Sequence, residues 1–243
     1  MTLALDLGNS FLKTAVFQGD VLIDQQTFDY TSFKKDLATH LKKYPEIHHA
    51  IISSVKNFLV SDFDSILQGI KINYITHQSR FPFKNLYQTP QTLGIDRMVL
   101  VAGAVISYPN QNRLIIDAGT CITYDFVDSK NHYRGGAIAP GAQLRYQSLH
   151  AYTSKLPLLT VQNPGDVVGN STQQAIHSGV INGLCFEIQG FIDYYCSNYE
   201  NFIIILTGGN ADFLAKRLKN PIFANSNFLL QSLNQLFQYQ QND

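Results

Sequence analysis

Short apolar segments alternate with stretches of helical periodicity along the first half of the chain. The apolar segments are rich in β-branched and aromatic residues, and Gly-Asn-Ser and Gln-Gly-Asp turns separate the first three, which is typical of strands. Phe33, Leu37 and Leu41 recur four residues apart and predict a helix, with Thr31 or Ser32 as its cap. The predicted strands are 3–7, 11–17, 21–27, 50–55 and 71–76. The predicted helices are 31–43, about 58–68, and 94–107.

The same order of elements restarts near residue 113. A strand, a Gly-Thr turn and a second strand fill 113–128, and a third strand follows at 132–139. A buried strand ending in glycines is predicted at 202–209, and the Gln/Asn-rich stretch 234–243 is expected to fray. The predicted helices of this half are 141–151, 171–198, 210–218 and 227–239.

The two halves resemble each other at the start of each series. DLGNSFLK (6–13) and DAGTCITY (117–124) share an aspartate, a glycine and a small polar residue at equivalent places. We therefore predict an α/β protein of two duplicated domains, each with a mixed sheet and flanking helices, over 1–110 and 111–243. A ligand cleft is expected between such domains. The last helix could pack on either one.

Composition narrows the class of protein. Hydrophobic residues make up 45% of the chain, which predicts a sizeable core. The 18 lysines and arginines equal the 18 aspartates and glutamates, which argues against a nucleic-acid partner. No apolar run is long enough to span a membrane. Three cysteines without CxxC spacing fit a reducing compartment, so we expect a cytoplasmic protein with no membrane partner.

The opening hairpin carries residues suited to phosphate. An aspartate at a strand end can hold hydrated Mg²⁺, and the N–H groups of a tight turn can face phosphate oxygens. Gly8 permits close approach of the backbone, and Lys13 could neutralise charge on a transferring phosphoryl group. One such hairpin could be an ordinary turn. Two of them, with LTGGN (206–210) as a third glycine turn suited to the nucleoside end, favour a nucleotide site.

These motifs resemble those of known phosphotransferases. DLGNSFLK, DAGT and LTGGN resemble the phosphate-1, phosphate-2 and adenosine motifs of the acetate and sugar kinase, Hsp70 and actin superfamily. Within it, four further segments resemble type III pantothenate kinase, and the similarity runs from residue 3 to about 215. They are NLYQTPQTLGIDR (85–97), GGAIAPG (135–141), SKLP (154–157) and NSTQQAIHSG (170–179).

The resemblance implies a reaction, its cofactors and a set of site residues. The family moves the γ-phosphoryl of ATP to pantothenate, giving 4′-phosphopantothenate in coenzyme A biosynthesis, with Mg²⁺ and a monovalent cation, K⁺ or NH₄⁺. Asp96 matches the catalytic base, Asp117 the monovalent cation ligand, and Asp6 lies near Mg-ATP through water. The implied ATP-binding residues are Asp6, Leu7, Gly8, Asn9, Ser10, Phe11, Leu12, Lys13 and Thr120. The implied pantothenate-binding residues are Tyr87, Gly94, Ile95, Asp96, Arg97 and Thr172.

Several alternatives stay open at the level of sequence. The resemblance also admits a non-catalytic transcription accessory factor, or a superfamily kinase for another small alcohol. The presence of Asp6, Lys13 and Asp96 favours the enzyme. Ser171 and Gln174 fit a capping box around Thr172. The family implies a homodimer, for which the apolar stretch 98–106 or the long helix from 171 could supply the interface.

Overall fold

A computed structural model describes residues 1–55, 63 and 65–241 of the chain. Its contacts divide the described residues into two compact units. The first unit comprises 1–110, 127–135 and the C-terminal segment from 227, and the second comprises 111–126 and 136–226. The units and the predicted domains both have a boundary after residue 110. They differ because 127–135 and the segment from 227 belong to the first unit, whereas they were predicted in the second domain.

A mixed five-stranded sheet forms the centre of the first unit. Its strand order is β3-β2-β1-β4-β5, with β2 antiparallel to both β1 and β3, and β4 parallel to both β1 and β5. The strands are β1 (Thr2–Leu7), β2 (Leu12–Gln18), β3 (Val21–Phe28), β4 (His49–Ser54) and β5 (Lys71–Tyr74). The helices are α1 (Phe33–Leu41) and α2 (Ile95–Ser107). A short strand, β6 (Lys84–Asn85), pairs with the start of β9 described below.

The second sheet repeats the order of the first. Its strands β11-β10-β7-β8-β9 correspond in sequence to β5-β4-β1-β2-β3, and β10 is parallel to both β7 and β11. The strands are β7 (Asn112–Ala118), β8 (Cys121–Val127), β9 (His132–Pro140), β10 (Phe202–Thr207) and β11 (Phe223–Ala224). The shared order and parallel pairings confirm the α/β fold with two mixed sheets.

The helices of the second unit follow the predicted bounds closely. Its helices are α3 (Ala142–Ala151), α4 (Thr172–His177), α5 (Gly183–Asn198) and α6 (Ala211–Ala215). A π-helical turn at Ser178–Asn182 joins α4 to α5, which explains why one helix was predicted over 171–198. The helix predicted near 58–68 falls largely outside the described residues.

The C-terminal segment forms a helix of the first unit. Helix α7 (Phe228–Gln241) packs on α2 and β1, with Leu233 and Leu236 fully buried. The expectation that 234–243 would fray is therefore wrong up to Gln241, because the Gln and Asn residues alternate with buried apolar ones. None of the described helices combines the length and apolarity required to cross a membrane.

Candidate active site

The first hairpin is held in place at its turn. Asp6 and Lys13 are partners across the β1–β2 ladder, and the Gly8 N–H donates to the Phe11 carbonyl at 3.2 Å. The Tyr30 hydroxyl donates to the Gly8 carbonyl at 2.6 Å. Burial, with the nearby Asp6 charge, raises the pKa of Tyr30 to about 12. The phenol therefore remains a donor at neutral pH and fixes the turn.

The predicted ATP-facing residues of this hairpin differ in what they expose. Asn9, Ser10 and Phe11 are exposed, whereas the side chains of Leu7 and Leu12 are in the hydrophobic core. Only the backbone of those two leucines could therefore face a ligand.

Asp6 is buried at the end of β1. Its side chain is 5% exposed, and Oδ1 accepts a hydrogen bond from the Ser53 hydroxyl at 2.9 Å. Ser53 is the partner of Asp6 on the parallel strand β4. A carboxylate already held this way suits contact with a hydrated ion through water.

The second hairpin repeats this arrangement with a more open carboxylate. Asp117 is the last residue but one of β7, as Asp6 is of β1, and its partner on the parallel strand is another hydroxyl residue, Thr207. Asp117 is partly exposed, and Thr120 is exposed in the turn. LTGGN (206–210) lies next to this hairpin. Strand β10 ends at Thr207 within it, and the Asn210 N–H donates to the Ala118 carbonyl at 3.2 Å.

The GIDR segment (94–97) places the Asp96 carboxylate at the start of helix α2. Gly94 is the N-cap of α2, and Asp96 lies in the first turn, where its Oδ1 accepts a hydrogen bond from the Arg97 N–H at 2.8 Å. The helix dipole favours a negative charge at this end. Ile95 is buried, whereas Asp96 is partly exposed.

Arg97 and Tyr87 meet in an aromatic cluster. The Arg97 side chain is 6% exposed and donates to the Tyr133 hydroxyl at 3.1 Å. Its guanidinium lies 6.0 Å from the centre of the Tyr87 ring, which stacks on Tyr133. A buried cation held by phenols is suited to binding an anion. The sequence motifs do not single out Tyr133, although it lies just before GGAIAPG.

Thr172 lines a pocket made by residues of the second unit. Ser171 is the N-cap of α4 and accepts from the Gln174 N–H at 3.3 Å, while the Gln174 side chain accepts from the Asn170 N–H. The predicted cap at Ser171 is confirmed, and it leaves Thr172 exposed. The pocket has a volume of about 610 Å³ and includes Arg145 and Leu149.

Sequence comparison decides the family. The model of the family described as "Type III pantothenate kinase" matches residues 2–194. The chain belongs to that family. A curated relative of this name from Flavobacterium johnsoniae is 54% identical over 239 residues, covering 98% of both chains. Another, from Flavobacterium psychrophilum, is 53% identical over 240 residues, covering 99% of this chain and 100% of the relative.

Solved structures agree on the fold. A protein from Campylobacter jejuni, assigned to the Baf family of transcriptional activators, superposes with a TM-score of 0.66 at 22% identity, covering 99% of this chain and 100% of that one. A protein assigned as an N-acetylmannosamine kinase from Listeria monocytogenes gives a TM-score of 0.57 at 11% identity, covering 99% of both chains. At these identities the likeness shows the fold alone.

The donor atoms present fit the divalent metal that a kinase using ATP implies. ATP carries Mg²⁺ on its phosphates, and Mg²⁺ retains several waters, which suits the buried, hydrogen-bonded Asp6. Asp117 is partly exposed, and its Oδ1 and the Ala118 carbonyl oxygen both lie close to Gly208. Tyr30 and Ser53 contact the first hairpin and Tyr133 contacts Arg97, through hydrogen bonds between residues 19 to 47 positions apart in sequence.

Proposed function

We propose that this protein transfers the γ-phosphoryl group of ATP to the primary hydroxyl of pantothenate, giving 4′-phosphopantothenate, the first step of coenzyme A biosynthesis. The observation that carries the proposal is family membership over nearly the full chain, with relatives above 50% identity. Each hairpin has an aspartate beside a hydroxyl residue of the neighbouring strand, which supports phosphate binding at each hairpin.

Asp96 acts as the general base in this proposal. A primary alcohol is too weak an acid for a carboxylate to ionise it before attack. Asp96 instead orients the hydroxyl and accepts its proton as the new O–P bond forms, which suits a loose transition state. Its place in the first turn of α2 supports this role, because the backbone N–H of Arg97 fixes the direction of the carboxylate.

The remaining predicted residues bind the two substrates. Arg97 supplies positive charge for the pantothenate carboxylate, and Tyr87 forms a wall of that site. Gly94 and Ile95 set the backbone around Asp96, and Thr172 contacts pantothenate through its hydroxyl. This assignment is supported by the approach of Tyr87 to Arg97 and by the exposure of Thr172.

ATP is bound by the two glycine hairpins. Residues 6–13 and Thr120 contact its phosphates, and Lys13 neutralises developing charge on the transferred group. Mg²⁺ bound to the nucleotide adds further charge neutralisation. Asp117 binds a monovalent cation, K⁺ or NH₄⁺, whose charge lies near the phosphates.

The functional form is a homodimer in the cytoplasm. An exposed aromatic groove on α5 supports the dimer, with Phe186 63% and Tyr194 62% exposed. Helix α2 does not supply this interface, because its residues from Met98 to Val105 are buried within the first unit. The absence of nucleic-acid and membrane partners is part of the same proposal.

The test is phosphorylation of pantothenate by the purified protein with Mg-ATP, with and without potassium. Formation of 4′-phosphopantothenate that increases with potassium supports the reaction and the cation site together. Binding of ATP without product directs the search to another small alcohol. A folded protein that binds no ATP contradicts the proposal and favours a transcription accessory factor.

A further inference from the structure

A buried tyrosine begins a chain of polar contacts in the second unit. Tyr124 on β8 is fully buried, and its hydroxyl donates to Oε1 of Glu187 on α5 at 2.9 Å. The ring stacks on Phe191 with 4.0 Å between centroids. Burial, with the Glu187 charge, raises the pKa of Tyr124 far above its usual value, so the phenol stays a donor. Glu187 is thereby held at a fixed place beside the sheet.

Arg145 connects Glu187 to the GGAIAPG turn. One guanidinium nitrogen of Arg145 donates to the second Glu187 oxygen at 2.7 Å, and its Nε donates to the Pro140 carbonyl at 2.8 Å. The guanidinium is planar, so one side chain aims donors in two set directions. Lysine has no equivalent fork. The position of the Pro140 carbonyl is therefore tied to helix α5.

The same peptide group contacts the phosphate-2 hairpin. The Pro140 carbonyl and the Gly141 N–H belong to one planar peptide unit, and that N–H donates to the Thr120 carbonyl at 3.0 Å. Hydrogen bonds in series polarise and strengthen one another. A Cβ on Gly141 would overlap the carbonyl oxygens of Gly119 and Thr120, so the peptide lies directly against the turn.

We propose that Arg145 is a positioning residue that acts through the Pro140–Gly141 peptide to hold the 117–121 hairpin in the conformation that binds ATP and the monovalent cation. The inference rests on the proposed function. The ion pair fixes the direction of the Arg145 guanidinium, because Glu187 is itself held by the Tyr124 hydroxyl. Through this pair, Arg145 controls the orientation of the Pro140–Gly141 peptide group.

The test compares Arg145→Ala and Arg145→Lys with the unmodified protein. Loss of a charge-assisted hydrogen bond to the turn should raise the KM for ATP by about tenfold in Arg145→Ala. The potassium concentration for half-activation should rise as well. Arg145→Lys, which can keep one of the two bonds, should fall between. The KM for ATP should rise more than the KM for pantothenate in both variants.

Gly141→Ala is a positive comparison, because it displaces the hairpin directly and should give the same kinetic signature. Tyr146→Phe is the matched structural control. It removes a buried hydroxyl, bonded to His177 at 2.8 Å, from the same helix α3 without touching Pro140. It should lower thermal stability and leave the KM for ATP and the potassium dependence unchanged.

A binding measurement separates this inference from the proposed function. Calorimetric titration with Mg²⁺ and a non-hydrolysable ATP analogue should show weaker binding in Arg145→Ala than in the unmodified protein, whether or not pantothenate is the substrate. Equal affinities, in folded variants of equal oligomeric state, overturn the inference. A rise in the KM for pantothenate alone also overturns it, because Arg145 would then act on substrate from the Thr172 pocket that it lines.

Discussion

At the scale of single residues, the two hairpin aspartates have equivalent positions but different exposure. Asp6 and Asp117 have the same place in their strands, and each has a hydroxyl residue as its partner on the parallel neighbour. Asp6 is buried and hydrogen-bonded, whereas Asp117 is partly exposed. The buried carboxylate suits an indirect contact with an ion, and the exposed one suits direct ligation.

Asp96→Asn tests the proposed base. The amide keeps the size of the side chain but cannot accept the proton, so kcat should fall by at least about a hundredfold while ATP binding is kept. Steady-state kinetics and nucleotide titration measure the two effects. Near-normal turnover in the variant would exclude Asp96 as the base.

Asp117→Asn tests the cation site. Removal of the negative charge should weaken or abolish activation by potassium, because the amide oxygen is a weaker ligand for a cation. Initial rates over a series of potassium concentrations give the result, and Asp128→Asn is a control outside the hairpins. Potassium activation unchanged from the unmodified protein would place the cation elsewhere.

Among the elements, helix α1 contains a buried histidine beside a carboxylate. His40 is 4% exposed, its Nδ1 lies 3.8 Å from Asp24, and its ring packs against Phe28 and Tyr44. Within the described residues its Nε2 has no hydrogen-bond partner. Burial lowers the pKa of His40, and the opposing Asp24 charge does not restore it.

This histidine should make stability depend on pH. The unfolded chain takes up the His40 proton near the ordinary pKa of 6.5, but the folded protein takes it up only at lower pH, so stability falls as pH decreases below that value. His40→Leu should reduce the loss of stability between about pH 7.5 and about pH 5.5, measured by urea unfolding. The exposed His48→Leu should leave it unchanged. An equal loss in both variants would contradict the assignment.

The contact between α2 and α7 is close at one glycine. A Cβ on Gly103 would overlap the Ser232 side chain, whose hydroxyl donates to the Phe228 carbonyl. Gly103→Ala should therefore destabilise the protein by about 1–3 kcal/mol, the usual cost of overpacking. Adding Ser232→Gly should recover part of that loss in a double-mutant cycle. Additive losses in the double variant would show that the two residues do not compete for space.

For the whole molecule, the fold was more predictable from sequence than the site. The repeated DLGNSFLK and DAGTCITY segments predicted two mixed sheets, because each strand pairing is local or follows the duplication. The bonds of Arg145 to Glu187, and of Tyr30 to Gly8, join residues 42 and 22 positions apart and depend on side-chain directions that periodicity does not contain. The inward side chains of Leu7 and Leu12 were missed for the same reason.

The oligomeric state is the prediction for the complete molecule. Phe186→Ser with Tyr194→Ser should convert a dimer to a monomer, because both remove apolar surface from the exposed groove on α5. Light scattering measures the mass. Tyr152→Ser, at a residue 88% exposed but outside that groove, is the matched control and should remain dimeric. A dimeric double variant would show that the interface lies on another face.

Helix α7 determines when the first unit can finish folding during synthesis. The segment from residue 227 supplies buried residues to a unit that otherwise consists of 1–110 and 127–135. On the ribosome, the sheet β1–β5 emerges early, but helix α7 cannot pack on it until 228–241 have left the exit tunnel. All of 111–226 emerges before then. The half of the protein that is translated first is therefore completed last, and its apolar face needs protection in the interval.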